Sequence, residues 1–309
     1  MMKKLGITIA AIALIGAQEV SGQQMAQFSQ YMFNDYLVNP AIGGSRPYFD
    51  VKTNNRYQWV GITDAPRTFT LSVHGPTKNR KMGLGGLIYT DIVGPTRRIG
   101  MQFSYSYHLQ LNENLRLSFG VAAGLQQFAV DGSKITTHDP GDAVISSGYQ
   151  SAIVPDAKFG VYLYSLDEKL FFGVSFPQIM QNKLYFFESQ NATESRLEDH
   201  YYAMGGYRFD VGDDFKIEPS VLVKYVAPVP VKVDIMARVI YQDKVWIGGG
   251  YRTNDAFSAM VGYLHRNNLM IGYSYDFTTT NLKNYSDGTH ELMLGIRFVR
   301  ATSTSKSQL

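Results

Sequence analysis

From Ile99 to Leu109 every odd residue is large and apolar (Ile99, Met101, Phe103, Tyr105, Tyr107, Leu109), and every even residue is small or polar (Gly100, Gln102, Ser104, Ser106, His108). A period of two over eleven residues describes one β-strand with two chemically opposite faces. In a soluble sandwich the Gly/Ser/Gln face would meet water. In an outer-membrane barrel it lines the lumen, while the aromatic face meets lipid. The pattern recurs in fourteen segments, at approximately 48–58, 67–74, 82–90, 98–109, 115–127, 156–165, 169–176, 200–211, 215–226, 230–241, 245–252, 256–264, 268–277 and 289–298. Many approach the roughly 9–11 residues of a tilted transmembrane strand. The expected fold is therefore all-β: a single 14-stranded antiparallel transmembrane barrel.

The connections test this expectation. From the second segment on, alternate links are tight and polar, among them Asn112-Glu113-Asn114, Asp167-Glu168, Gly212-Asp213-Asp214, Asp243-Lys244 and Arg266-Asn267. The other set is generally longer, with 128–155, 177–199 and 278–288 as its main members and Ala227-Pro228-Val229 as a short exception. Short turns on one rim and long loops on the other are the asymmetry of an outer-membrane barrel. An even strand count places both ends of the sheet at the periplasmic rim.

The N-terminus supplies the compartment. Lys3 and Lys4, the apolar run Leu5–Ala17 and the small residues Val20-Ser21-Gly22 read as a secretory signal over 1–22, with Gln23 beginning the mature chain. No later stretch approaches the roughly 18 apolar residues of a spanning helix, so a membrane location requires a closed barrel. The absence of cysteine removes disulfides and thiolate chemistry. A formal charge of +3 is too small an imbalance to argue for nucleic acid. The excess of 21 Tyr and 29 Gly beside 18% charged residues fits alternating lipid-facing strands. The expected organisation is signal 1–22, a non-barrel segment 23–47 that plugs or caps the periplasmic side, barrel 48–298 and a flexible C-terminal tail 299–309.

Catalytic, cofactor and metal signals are weak. His290-Glu291 opens like a zinc-protease motif, but Leu294 stands where the second histidine is needed. His138, Asp139 and Asp142 share the 128–155 loop, where a solvated polar loop is the simpler reading than a cation site. No Ser/His pair suggests a barrel hydrolase. No enzyme activity, cofactor or metal is expected. Charges of both signs fall on the inner face: Glu218 and Lys224 on one strand, Lys232, Asp234 and Arg238 on the next, with Arg208, Arg252, Glu291 and Arg297 beyond. They read as cross-strand ladders in a polar lumen.

Gln27–Ser45 (QFSQYMFNDYLVNPAIGGS) does not alternate, and it is too aromatic for an exposed tail. Asn39-Pro40 and Gly43-Gly44 break it. Two readings stand: a plug against the lumen or its periplasmic mouth, or a docking site for a periplasmic partner. Gly100, Ser104 and Ser106 leave room in the lumen, and Phe28–Ser45 is the expected occupant.

The chain resembles the PorP/SprF outer-membrane proteins of the type IX secretion and gliding machinery. The resemblance is carried by QYMFNDYLVNPAIGGS at 30–45, RYQWVGITDAPRTFTLSVHGP at 56–76, KMGLGGLIYTDIVGPTRRIGMQFSYSYHLQL at 81–111 and SYDFTTTNL…SDGTHELMLG at 274–295. It implies a barrel that works with periplasmic and inner-membrane components. In SprF-like members it implies a dedicated secreted adhesin, whose C-terminal sorting domain depends on the barrel for export or attachment. Two regions are candidates for partner contact: Leu184, Tyr185, Phe186 and Phe187 in an expected extracellular loop, and Phe28, Tyr31, Phe33 and Tyr36 on the periplasmic side. Alternatives are a PorP-like core component coupled to the periplasmic motor, and a diffusion pore or transporter.

Overall fold

A computed structural model describes residues 25–135, 148–180, 183–184, 195–196, 199–226 and 229–299. These residues form fourteen barrel strands. They are β1 (Phe49–Tyr57), β2 (Arg67–Pro76), β3 (Met82–Val93), β4 (Thr96–Gln110), β5 (Leu115–Asp131), β6 (Tyr149–Ser165) and β7 (Leu170–Gln178). Then come β8 (His200–Tyr207, continued past Arg208 by Phe209–Val211), β9 (Phe215–Val226), β10 (Val229–Tyr241), β11 (Val245–Arg252), β12 (Ala256–His265), β13 (Leu269–Thr278) and β14 (Thr289–Phe298). Each pairs antiparallel with the next, and β14 returns to β1 with Phe49 opposite Phe298 and Tyr57 opposite His290. The sheet therefore has no free edge, which is what lipid demands of a spanning β-structure. Among the described residues no helix is long and apolar enough to cross a membrane.

The alternation sorts side chains as the sequence predicts. Along β4, Met101, Phe103, Tyr105, Tyr107 and Leu109 are exposed, while Gln102, Ser104, Ser106 and His108 are buried toward the lumen. The exposed band is ordered by height. Aliphatic residues such as Val121, Leu125, Ile235 and Ile247 occupy its middle. Tyr57, Tyr201, Tyr225 and Phe277 lie near one rim, and Tyr107, Phe119, Tyr207 and Tyr263 near the other. Aromatic girdles flanking an apolar belt suit the interfaces of a bilayer, where a ring can be half wet.

β1 starts and β14 ends at the same rim, here called the terminal rim; the opposite one is the far rim. Links at the terminal rim are tight because residues accept left-handed backbone there. Gln242 and Asp243 (φ 49° and 55°) and Arg266 and Asn267 (φ 48° and 58°) form turns whose twist matches the flanking strands. The far rim departs from expectation in two ways. β5 and β6 run on to Asp131 and back from Tyr149, so the long 128–155 connection contracts to 132–148. The β3–β4 and β11–β12 links are also short, at Gly94-Pro95 and Thr253-Asn254-Asp255. Only 58–66, 132–148, 179–199 and 279–288 are long on that side. Local turn chemistry makes these two links short: Gly94 takes φ 56° and Asn254 takes φ 54°, and the second link is the gap that the alternation itself leaves between 245–252 and 256–264.

His138, Asp139 and Asp142, Tyr185, Phe186 and Phe187, the 1–22 signal and nearly all of the 299–309 tail lie outside the described residues. Leu184 belongs to a short ribbon in which Lys183–Leu184 pairs with Ser195–Arg196.

Candidate functional site: the barrel interior and residues 25–48

The described part of the N-terminal segment lies inside the barrel. Tyr31, Met32, Phe33, Tyr36, Val38, Ala41 and Ile42 are buried, as are the polar Ser29, Gln30, Asn34, Asp35 and Asn39. Asn39-Pro40 and Gly43-Gly44 explain its local form. Asn39 caps a short 3-10 turn (Pro40–Ile42), its Oδ1 accepting from the Ala41 N–H at 2.9 Å, with Pro40 already at a helical φ. Gly44 (φ 74°) then reverses the chain in a space where a side chain would strike the backbone of Gly83.

Within the segment Pro40 O accepts from the Gly43 N–H at 3.2 Å and Ile42 O from the Ser45 N–H at 3.0 Å, and the inner wall supplies donors to the carbonyls of Val38, Ala41 and Gly43. Ser118 Oγ on β5 donates to Ala41 O at 2.7 Å, and Ser175 Oγ on β7 to Val38 O at 2.7 Å. Ser106 Oγ on β4 donates to Gly43 O, with His108 Nε2 at 2.9 Å from the same oxygen. Asn39 Nδ2 in turn donates to Val161 O at 3.0 Å. Ser104 is 2.6 Å from Tyr36 Oη. Of the three small β4 residues expected to make room, Ser104 and Ser106 do so. Gly100 instead accommodates the ring of Tyr89 from the adjoining strand, because its near neighbour across β3 is large.

Toward the far rim the segment is held by charge. The Ser29 N–H donates to Glu291 at 2.8 Å, and Ser29 Oγ donates to Asp276 at 2.7 Å. Arg56 reaches Asp276 at 2.8 Å, Glu291 at 3.2 Å and Ser29 Oγ at 3.0 Å. The chain of charges continues from Asp276 to Arg252 at 3.5 Å, then to Asp234 at 3.1 Å, and on to Lys224 at 2.8 Å. Three buried cations (Arg56, Arg252, Lys224) thus meet three buried carboxylates (Asp276, Glu291, Asp234), and the half-buried Asp255 adds a fourth at 3.2 Å from Arg252. Pairing matters, since an unpaired charge in such surroundings is strongly destabilising.

Toward the terminal rim two further groups form. Glu218 lies between Arg238 at 2.6 Å and Arg208 at 2.7 Å. Asp35 is bound by Arg46 at 2.5 Å, while Lys52 pairs with Asp50 at 2.6 Å. The interior is also less polar than expected. Phe33 packs on Trp246 (ring centroids 4.6 Å apart) and under Arg238 (4.4 Å). The inward-facing Met236, Met260, Met270 and Met293 belong to the same apolar cluster as Phe33 and Trp246. Methionine fills such irregular gaps well.

Glu218, Lys224, Asp234 and Arg238 therefore occupy the inner face, and Lys232 sits half-buried opposite Lys224 on the same face. Arg56, Asp276, Asp35, Arg46 and Ser29 were not distinguishable in the sequence. For Arg56 and Asp276 the available signal was their even register on β1 and β13, which marks a face but not a partner; Ser29, Asp35 and Arg46 lie on no strand. Tyr31, Phe33 and Tyr36 lie within the lumen and are no more than 5% exposed. Phe28 is half-buried and sits toward the far rim.

A comparison with curated protein sequences returns no match. Among solved structures, the toluene transporter TbuX of Ralstonia pickettii superposes with a TM-score of 0.51 at 11% identity, over 85% of this chain and 92% of that one. Omp33 of Acinetobacter baumannii gives 0.48 at 10% identity, over 82% and 100%. The toluene transporter TodX of Pseudomonas putida gives 0.48 at 8%, over 85% and 92%. At such identities the first of these establishes the fold alone, that of an outer-membrane barrel. The family model described as "Type IX secretion system membrane protein PorP/SprF" matches residues 20–296, which is not an enzyme family. This outer-membrane barrel belongs to the PorP/SprF family of type IX secretion system membrane proteins.

Proposed function

We propose that this barrel binds a secreted adhesin of the type IX pathway through the adhesin's C-terminal sorting domain, anchoring it or helping its export, while residues 23–47 act as a plug. The observation that carries the reading is the use made of the inner wall. Serines, histidines and charges from β1, β2, β4, β5, β7, β9 and β13 are engaged by the chain's own Ser29–Gly44 rather than lining an open passage. A barrel so filled serves binding better than diffusion, which weighs against the pore alternative.

Short turns face the periplasm in outer-membrane barrels, which puts the terminal rim inside and the 179–199 connection outside. Leu184, Tyr185, Phe186 and Phe187 on that connection are our candidate adhesin contacts. Phe28, Tyr31, Phe33 and Tyr36 are assigned to filling the lumen, with Tyr31 and Phe33 bordering cavities at the terminal rim. The PorP-like alternative, coupling to periplasmic secretion or motility components, has its own support in that mouth. A cavity of about 580 Å³ opens there, bordered by Arg46, Arg208, Arg238 and Arg297 together with Asp167, Glu168 and Asp243.

Isolation of the barrel from native membranes tests the proposal. The expected companion is a large surface protein carrying a type IX sorting domain. Recovery of periplasmic components alone would favour the core-component reading, and recovery of neither would sink both.

A further inference from the structure

The direction in which residues 25–48 run through the barrel carries a topological consequence. The segment joins β1 at the terminal rim, where Arg46 lies 3.8 Å from Asp50 and Tyr48 stacks with Arg297. Followed backwards, Gly43 and Gly44 contact Ser106, His108 and His74, all near the terminal-rim ends of β4 and β2. Residues 38–41 then lie against β5, β6 and β7, a few residues in from the terminal-rim ends of those strands. Tyr31 reaches Ser220, midway along β9. Ser29 is held by Asp276, Glu291 and Arg56, each within a few residues of the far-rim end of its strand. Met25 and Gln27 border a cavity with His200, Val226 and Val229, which are the far-rim ends of β8, β9 and β10. Length permits this path: at about 3.3 Å per extended residue the segment can cover a hydrocarbon core of roughly 30 Å with slack for its turns.

We infer that the N-terminal segment threads the lumen from end to end, so that Met25 stands at the far rim, on the cell-surface side. A lid docked from the periplasm would enter and leave by one mouth. A threaded segment has its two ends on opposite sides of the membrane and cannot be withdrawn without pulling Ser29 out of the Arg56–Asp276–Glu291 group. The inference uses the orientation adopted under the proposed function but not the adhesin, so the two can fail separately.

The test places one short epitope in the full-length chain at three positions and stains whole cells before and after the outer membrane is permeabilised. The positions are between Gln24 and Met25, between Tyr285 and Ser286 in the far-rim 279–288 connection, and between Asp213 and Asp214 in a terminal-rim turn. Heat-modifiable migration of the unboiled protein confirms that each barrel is folded. The expected result is that the Gln24/Met25 epitope behaves as the Tyr285/Ser286 epitope does, reached on intact cells. Staining that follows the Asp213/Asp214 epitope would overturn the inference, as would an epitope reached under neither condition. Should the insertion ahead of Met25 prevent folding, Met25→Cys decides the matter. The chain has no other cysteine, so modification by a membrane-impermeant thiol reagent on intact cells supports threading. Modification only after permeabilisation, or none at all, counts against it.

Discussion

Phe103 and Ser104 are neighbours on β4, yet they solve different problems. Phe103 is 66% exposed on the outer wall and needs only to be apolar. Ser104 is buried on the inner wall, 2.6 Å from Tyr36 Oη. The outer face is generic because lipid is a solvent without directional demands, so many side chains satisfy it. The inner face is specific because each polar group taken from water must find a partner. The same contrast recurs around the barrel, and it says where a substitution will be tolerated.

The largest effect is expected from removing what the inner face holds. Deletion of residues 25–44 should convert a barrel of low conductance in planar bilayers into one with an open channel. An unchanged conductance from a correctly folded deletion would end the plug assignment. Next comes Asp276→Ala, which takes the shared carboxylate from Arg56 and Arg252 and the acceptor from Ser29 Oγ, leaving Arg56 to Glu291 and Arg252 to Asp234 and Asp255. Breaking a buried ionic group in this way costs about 3–5 kcal/mol, and denaturant unfolding in detergent would register the loss.

On the outer wall a comparable cost requires a charge. Phe103→Arg, at mid-strand, should cost about 2–4 kcal/mol in the same assay. A cost as low as that of an apolar replacement would show that this face does not meet lipid. The smallest effect is expected from Phe103→Leu, below about 1.5 kcal/mol, since one apolar residue replaces another against lipid.

Much of the architecture was legible because a period of two is a local property. The strands at 200–211, 215–226, 245–252 and 289–298 begin and end where the alternation does. The contraction of the 128–155 connection was not legible, because β5 and β6 extend each other beyond the membrane belt through ladder pairing from Phe128↔Ala152 to Asp131↔Tyr149. Hydropathy carries no trace of such pairing once both faces are wet. The interior divides in the same way. The even register of Glu218 and Arg238 predicted their pairing across two adjacent strands, and they meet at 2.6 Å. Nothing in the spacing joins Ser29 to Asp276 and Glu291, which lie 247 and 262 residues away.

By itself, then, the sequence determined the class of fold, the compartment and which face of each strand meets lipid, since these follow from alternation and the closure that lipid imposes on backbone hydrogen bonds. The tertiary structure decided what the inner face is for. Only closure of β14 onto β1 brings Arg56 beside Glu291, and only the path of residues 25–48 through that closed space gives Ser104, Ser118 and Ser175 their partners. Partnership at such separations depends on where the chain returns in space, which a periodic pattern does not encode.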